Sequence, residues 1–188
     1  MTNRKTSRNL VLQIQSFSTP ARISNEKITA RITRAILEQD ERTPLRDDDL
    51  DDELWLALCE RISTPTDTEQ FQPPVGFYYA SRLLQWDVCN GGFAQAACNV
   101  PEWFELAAAG YNSLGKKQTA EIIREVKDLL PGNHEAVRQL RAGEIGWEDY
   151  FGEHAFAIYD ELVLASNDWM IDRERIAYVR ANRDAFKI

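Results

Sequence analysis

Histidine, cysteine and long apolar runs are all scarce in this sequence, and each scarcity closes a class of function. Its only histidines, His134 and His154, lack the paired spacing of a metalloprotease helix. His154 follows Glu148 and Asp149, the nearest approach to an acid/base cluster, and reads as a surface histidine in an acidic neighbourhood. Cys59, Cys89 and Cys98 are odd in number and contain no Cys-x-x-Cys pair. They indicate reduced thiols, with neither a disulfide framework nor a zinc site. No apolar stretch approaches the roughly 18 residues of a membrane span, and the run at residues 10–14 is interrupted by Gln13 before it could serve as a secretory core. A soluble, cytoplasmic protein is expected. Phosphate loops, dinucleotide fingerprints and nucleophile elbows are also missing, and Gly91-Gly92 lacks the Gly-x-x-x-x-Gly-Lys frame of a phosphate cradle. The expectation is a non-enzyme without metal or cofactor.

What the chain does contain is charge, unevenly spread. Its 188 residues are 44% hydrophobic, enough for one well-buried core and short for two, and carry a formal net charge of -8. Residues 1–34 hold seven basic residues (Arg4, Lys5, Arg8, Arg22, Lys27, Arg31, Arg34) against Glu26 alone, so that segment stands at +6 and the remainder at -14. An acidic body repels nucleic acid and draws in basic surfaces.

Residues 1–23 show no helical period and suit a flexible basic arm, with residues 10–17 able to lie against the body. A basic tail for nucleic acid is the less favoured reading. Residues 24–188 read as one all-α domain, so the fold expected is a single compact domain of about eight or nine helices with an N-terminal arm. Ser24 caps a first helix with Ile28, Ile32, Ala35 and Ile36 on one face, ending near Gln39. Asp47, Asp48, Asp49, Asp51, Asp52 and Glu53 then open a helix with an apolar stripe of Leu50, Leu54, Leu58 and Ile62. Acids complement the positive end of a helix, but six exceed that need. A solvated helix start and an acidic patch for a basic partner are both open; the spacing does not match a calcium loop. Residues 63–72 read as a loop, and Pro73-Pro74 starts a helix whose inner face is Val75, Tyr78, Tyr79, Leu83 and Trp86.

Past that helix, Pro101-Glu102-Trp103 opens an alanine-rich helix ending at Gly110 or Gly115, with Ala107, Ala108 and Ala109 permitting close contact. An amphipathic helix from Thr119 to Leu130 turns Ile122, Ile123, Val126, Leu129 and Leu130 inward. On its outer face Glu121 and Glu125 stand about 6 Å apart by helix rise, near a phosphate spacing, with Arg124 and Lys127 beside them to form intrahelical salt bridges. Asn133 caps a short helix to Ala142, and one long helix is expected from Trp147 to Ala165 despite Gly152. No Arg or Lys lies between Arg141 and Arg173, so Glu144, Glu148, Asp149, Glu153, Asp160, Glu161 and Asp168 are expected to lack local neutralisation and to form a second negative surface. A last helix from about Ile171 carries Ile176, Val179 and Phe186 inward.

The most distinctive stretch is Trp86-Asp87-Val88-Cys89-Asn90-Gly91-Gly92-Phe93-Ala94-Gln95, closed by Asn99. Asn90 and Gly91 can cap an incoming helix, Gly92 lets the next helix approach a neighbour, and the amides of Asn90, Gln95 and Asn99 can bond the exposed turn. A structural helix-to-helix corner is favoured over a ligand or peptide site, because no acid, base or nucleophile accompanies the amides. With Phe77-Tyr78-Tyr79 before it, the alanine-rich helix after it and Tyr178-Val179-Arg180-Ala181-Asn182 and Phe186 near the end, this order resembles the bacterial DNA-mimic-protein family, long catalogued as a domain of unknown function. Asp87, where that pattern has Glu, and Ala96-Ala97, where it has larger aromatics, depart from it. The resemblance implies an all-helical, acidic homodimer, one of whose relatives occupies the DNA-binding surface of a transcription factor. The expected function is thus an acidic regulatory protein that binds a basic DNA-binding protein in competition with DNA. The alternative is an interaction or immunity-type module that shares the fold but recognises its partner through apolar and amide groups near the corner.

Overall fold

The stretch from Pro73 to Asn99 is apolar on several faces, and the other elements pack around it. The computed structural model describes residues 47–130, 134–152, 156–166 and 168–187. The arm at residues 1–23, the helix capped by Ser24 and the cap at Asn133 lie outside these. Among the described residues there are eight α-helices and no strand: α1 (Asp47–Cys59), α2 (Pro73–Asn99), α3 (Phe104–Ser113), α4 (Lys117–Leu129), α5 (His134–Ala142), α6 (Trp147–Phe151), α7 (Ala157–Ala165) and α8 (Asp172–Ala181). None is long and apolar enough to cross a membrane.

Helix α2 packs most extensively on α3, and α3 on α4; α8 lies against α1, and α7 touches α2 and α4. Small residues set the first of these contacts. Ala107 and Ala108 are fully buried, and a methyl group at Gly110 would meet the Phe77 carbonyl oxygen at 2.5 Å. Gly110 is therefore a point of close approach inside α3, whereas Gly115, at φ +80°, ends the helix. There the Lys116 N–H bonds back to the Tyr111 carbonyl at 2.9 Å, closing a left-handed cap. In α1 the stripe Leu50, Leu54 and Leu58 is buried as its spacing predicts, and so is Ile62, which lies just past the helix end at Cys59.

Aromatic rings fill the interior. Trp169 stacks on Tyr111 at 5.1 Å between centroids and meets Phe93 edge-on at 5.8 Å, while Tyr79 lies between Trp55 and Trp103. Near the C-terminus, Phe186 packs edge-on against Tyr78.

Four expectations are corrected. Residues 65–70 form a 3-10 turn within the expected loop, because the Asp67 carboxylate accepts from the Ser63 and Thr64 N–H groups at 2.8 and 2.7 Å. The long helix from Trp147 to Ala165 is instead the pair α6 and α7; Gly152, at φ +87°, breaks it. Trp86 is 52% exposed, because beyond Arg82 this face of α2 borders a groove between α1 and α8 that no helix among the described residues covers. Leu129 is also exposed, at the C-terminal end of α4.

Candidate functional site

The corner at Gly91-Gly92 is built from both of its sides. Gly92 has φ +71°, so the left-handed residue is Gly92 and not the expected Asn90 or Gly91; Gly91 is extended. Helical geometry resumes at Phe93, whose N–H donates to Asp160 Oδ1 at 2.8 Å. That carboxylate, contributed by α7, does for the second half of α2 what an N-cap residue does locally. A methyl group at Gly92 would meet Asp160 Oδ2 at 2.6 Å, so the contact requires glycine in both backbone angle and space.

The corner amides bond within α2, and Asn90 and Asn99 stay exposed. Gln95 Nε2 and Asn99 Nδ2 both donate to Asp87 Oδ1 at 3.0 Å, and Asn90 Nδ2 donates to the Trp86 carbonyl at 2.8 Å. Arg141 of α5 clamps the helix end, donating to the carbonyls of Cys98 and Asn99 at 3.0 and 2.9 Å and pairing with Glu102. Asp87 is buried, and burial pushes its carboxyl above the ordinary range, opposed by the Asn99 and Gln95 amides. Asp160 is raised for the same reason, opposed by the Phe93 N–H. Gln95 and Asn99 thus gather on the Asp87 carboxylate and Gly92 and Phe93 on that of Asp160, while Asn90 bonds the Trp86 carbonyl and Gly91 lies against Gln95; sequence spacing singled out neither carboxylate as the hub.

The candidate partner-binding acids divide. Asp51 is buried and is held by Arg82 Nε at 2.9 Å and the Tyr78 hydroxyl at 2.8 Å. Its pKa is pushed up by burial and restrained by Arg82. Asp52 bonds the same guanidinium at 2.7 Å but is itself exposed. Asp49 and Glu53 are half-buried, and each makes an interaction. The side chains of Asp47, Asp48, Glu148 and Glu153 lie outside the described residues.

The expected absence of local neutralisation is overturned at two positions, and a third acid is engaged by a backbone N–H. Glu144 pairs with Arg138 through both oxygens, at 2.9 and 3.0 Å, because the turn at Gly143 (φ +67°) folds it back over α5. Asp168 meets Lys116 at 2.9 Å across the fold, and Asp160 is engaged at the corner. Asp149 and Glu161 remain exposed, with no ion pair among the described residues.

The reverse correction applies on α4. Lys127 reaches away to Glu105 of α3, holding that carboxyl below its usual range. Glu121 and Glu125 therefore lack the intrahelical bridges expected of them. With Asp128 they form an exposed stripe without ion pairs among the described residues, flanked by Lys117 and Arg124. Asp128 was missed although its i+7 spacing from Glu121 was readable.

Among the described residues no cluster of His, Cys, Asp and Glu could hold a metal ion. In comparison with known proteins, the model of a family described as DMP19-like protein matches residues 69–182. That span holds all of α2 to α8, the corner included. No curated protein and no solved structure matches the chain.

Proposed function

We propose, because the chain belongs to the DMP19-like protein family, that it is a non-catalytic regulatory protein whose carboxylate surface docks on a basic DNA-binding protein and excludes DNA. The family match carries this reading, and the distribution of charge supports it. The side chains at Glu121, Glu125 and Asp128, and at Asp149 and Glu161, face water without ion pairs among the described residues. They join Asp47, Asp48, Asp49, Asp52, Glu53, Glu148 and Glu153 as the surface assigned to the partner. Asp51 and Asp160 are withdrawn from it because each is held inside the fold, and Glu144 because Arg138 takes both its oxygens; Asp52, bonded to Arg82 through Oδ1 alone and 73% exposed, keeps an oxygen for the partner.

The mechanism is electrostatic. DNA offers a basic protein about one charge per 1.7 Å of axis, and that attraction collapses as salt rises. Carboxylates fixed on helices compete for the same guanidinium and ammonium groups, with no bond made or broken. Such a complex inherits the salt sensitivity of the DNA complex, since exposed charges are screened over about 8 Å at physiological ionic strength. Against the alternative, amide-based mode of recognition, each corner amide already spends a donor within α2.

The test is capture on the immobilised full-length protein from the source organism's lysate, with elution in steps of rising salt. The expected partner is a basic DNA-binding protein that elutes early and releases its DNA when this protein is added. A neutral partner, or one retained until denaturant, overturns the reading.

A further inference from the structure

Helix α7 carries an apolar stripe that no helix among the described residues covers. Ile158, Leu162 and Ala165 stand at i, i+4 and i+7, on one side of the helix, and all three are exposed, Ile158 at 62% and Leu162 at 47%. The fold uses the opposite side, where Val163 is buried and Asp160 accepts from the Phe93 N–H. Glu161 edges the stripe, exposed and without an ion pair among the described residues. Single apolar residues at a surface are ordinary; three in helical register beside a charge have the pattern by which one helix docks on another.

The complement stands in the sequence itself. Residues 24–39, whose spacing reads as an amphipathic helix, place Ile28, Ile32 and Ala35 at the same three intervals, and Arg31 where α7 has Glu161. The two patterns match position for position, with the sign of the edge charge reversed, and Lys27 and Arg34 extend the basic edge. Helices that carry charge on the same edge of their stripes bring those edges together when they run antiparallel. Residues 40–46 join the segment to α1, up to roughly 25 Å of chain. We propose that residues 24–39 lie antiparallel along α7 of their own chain, with Ile28, Ile32 and Ala35 on its exposed stripe and Arg31 beside Glu161. A second copy of α7 is the poorer occupant, since the same pairing would set Glu161 against Glu161. The docking does not rest on the regulatory reading; where that reading holds, the segment competes with the basic partner for Glu161.

The test puts a photoreactive benzoylphenylalanine in place of Ile158 in the full chain, with no partner added, and identifies the linked peptides by mass spectrometry. Linkage to residues 24–39 is expected, and in a mixture of unlabelled and nitrogen-15 chains no linked pair should carry both labels. Ile32→Ser and Glu161→Arg should each cut the yield at least about threefold while circular dichroism stays unchanged. Adding Arg31→Glu to Glu161→Arg should restore it, which damage to α7 alone would not allow. The proposal is overturned if residues 24–39 are not linked, if mixed-label pairs assign the face to a second copy, or if Ile32→Ser or Glu161→Arg leaves the yield unchanged.

Discussion

Gly92 meets two demands that no other residue type meets together. Its φ of +71° costs a residue with a side chain about 1–2 kcal/mol, and a Cβ there would displace the Asp160 carboxylate that accepts from Phe93. Gly92→Ala should therefore lower the urea midpoint, and so should Asp160→Ala. The two losses should add only in part, because both changes disturb the same contact while the backbone cost at Gly92 persists without it; fully additive losses in the double variant would show that Gly92 and Asp160 act independently. Asp87 leads to a prediction in pH. Burial raises its carboxyl, and among the described residues no cation offsets this. The stability it contributes is full below the unfolded value of about 3.9 and is lost as pH rises through the higher folded value. At neutral pH its charge weakens the corner. Asp87→Asn keeps an Oδ1 to accept from Gln95 and Asn99. It should be at least as stable as the parent at neutral pH, with the parent gaining on it as pH falls toward about 4. Parallel thermal melts for the two proteins across that range would contradict this.

Elements with a strong local pattern were legible before any coordinates. Helix α4 places Ile122, Ile123 and Val126 at helical spacing, and α2 does the same with Val75, Tyr78 and Tyr79; all six are buried. The break between α6 and α7 was not legible, because an aromatic-rich run on either side of Gly152 satisfies a helical period whether or not the chain continues straight. Trp86 was misplaced for a related reason: a helix face says which residues align, and only the neighbouring helices decide where cover stops. Glycines separate by environment in the same way. Gly110 lies against the Phe77 carbonyl, whereas Gly115 has open space where a Cβ would stand. Gly110→Ala should cost about 1–3 kcal/mol by forcing α3 from α2, more than any gain in helix propensity. Gly115→Ala should cost about 1–2 kcal/mol, from backbone angle alone. Denaturant unfolding should find both destabilised, with the helix-to-helix spacing disturbed only in Gly110→Ala.

At the scale of the whole molecule, the sequence sets how many carboxylates there are and the fold decides which of them are free. Glu144 and Arg138 are six residues apart, and Asp168 and Lys116 are fifty-two; neither pairing follows from local spacing. The corner amides were legible as a unit because they and their acceptors on α2 lie close in sequence, but the clamps on the corner backbone, Arg141 and Asp160, required α5 and α7 to return to α2. Formal charge alone therefore ranks the acidic regions poorly. On α4, Glu121, Glu125 and Asp128 carry three charges on one stripe with no ion pair among the described residues. Replacing them together by Gln, Gln and Asn should leave stability within about 0.5 kcal/mol, as expected for surface changes. Affinity for the basic partner should fall at least about tenfold at low salt, and the variant and parent should converge as salt rises, because screening removes the difference between them. The substitution Asp51→Asn should do the opposite, lowering stability by stripping Arg82 of its buried partner while leaving the salt dependence of binding intact. A stripe variant that binds as the parent does at every salt concentration would remove α4 from the docking surface and leave that role to the acids around α1 and α6.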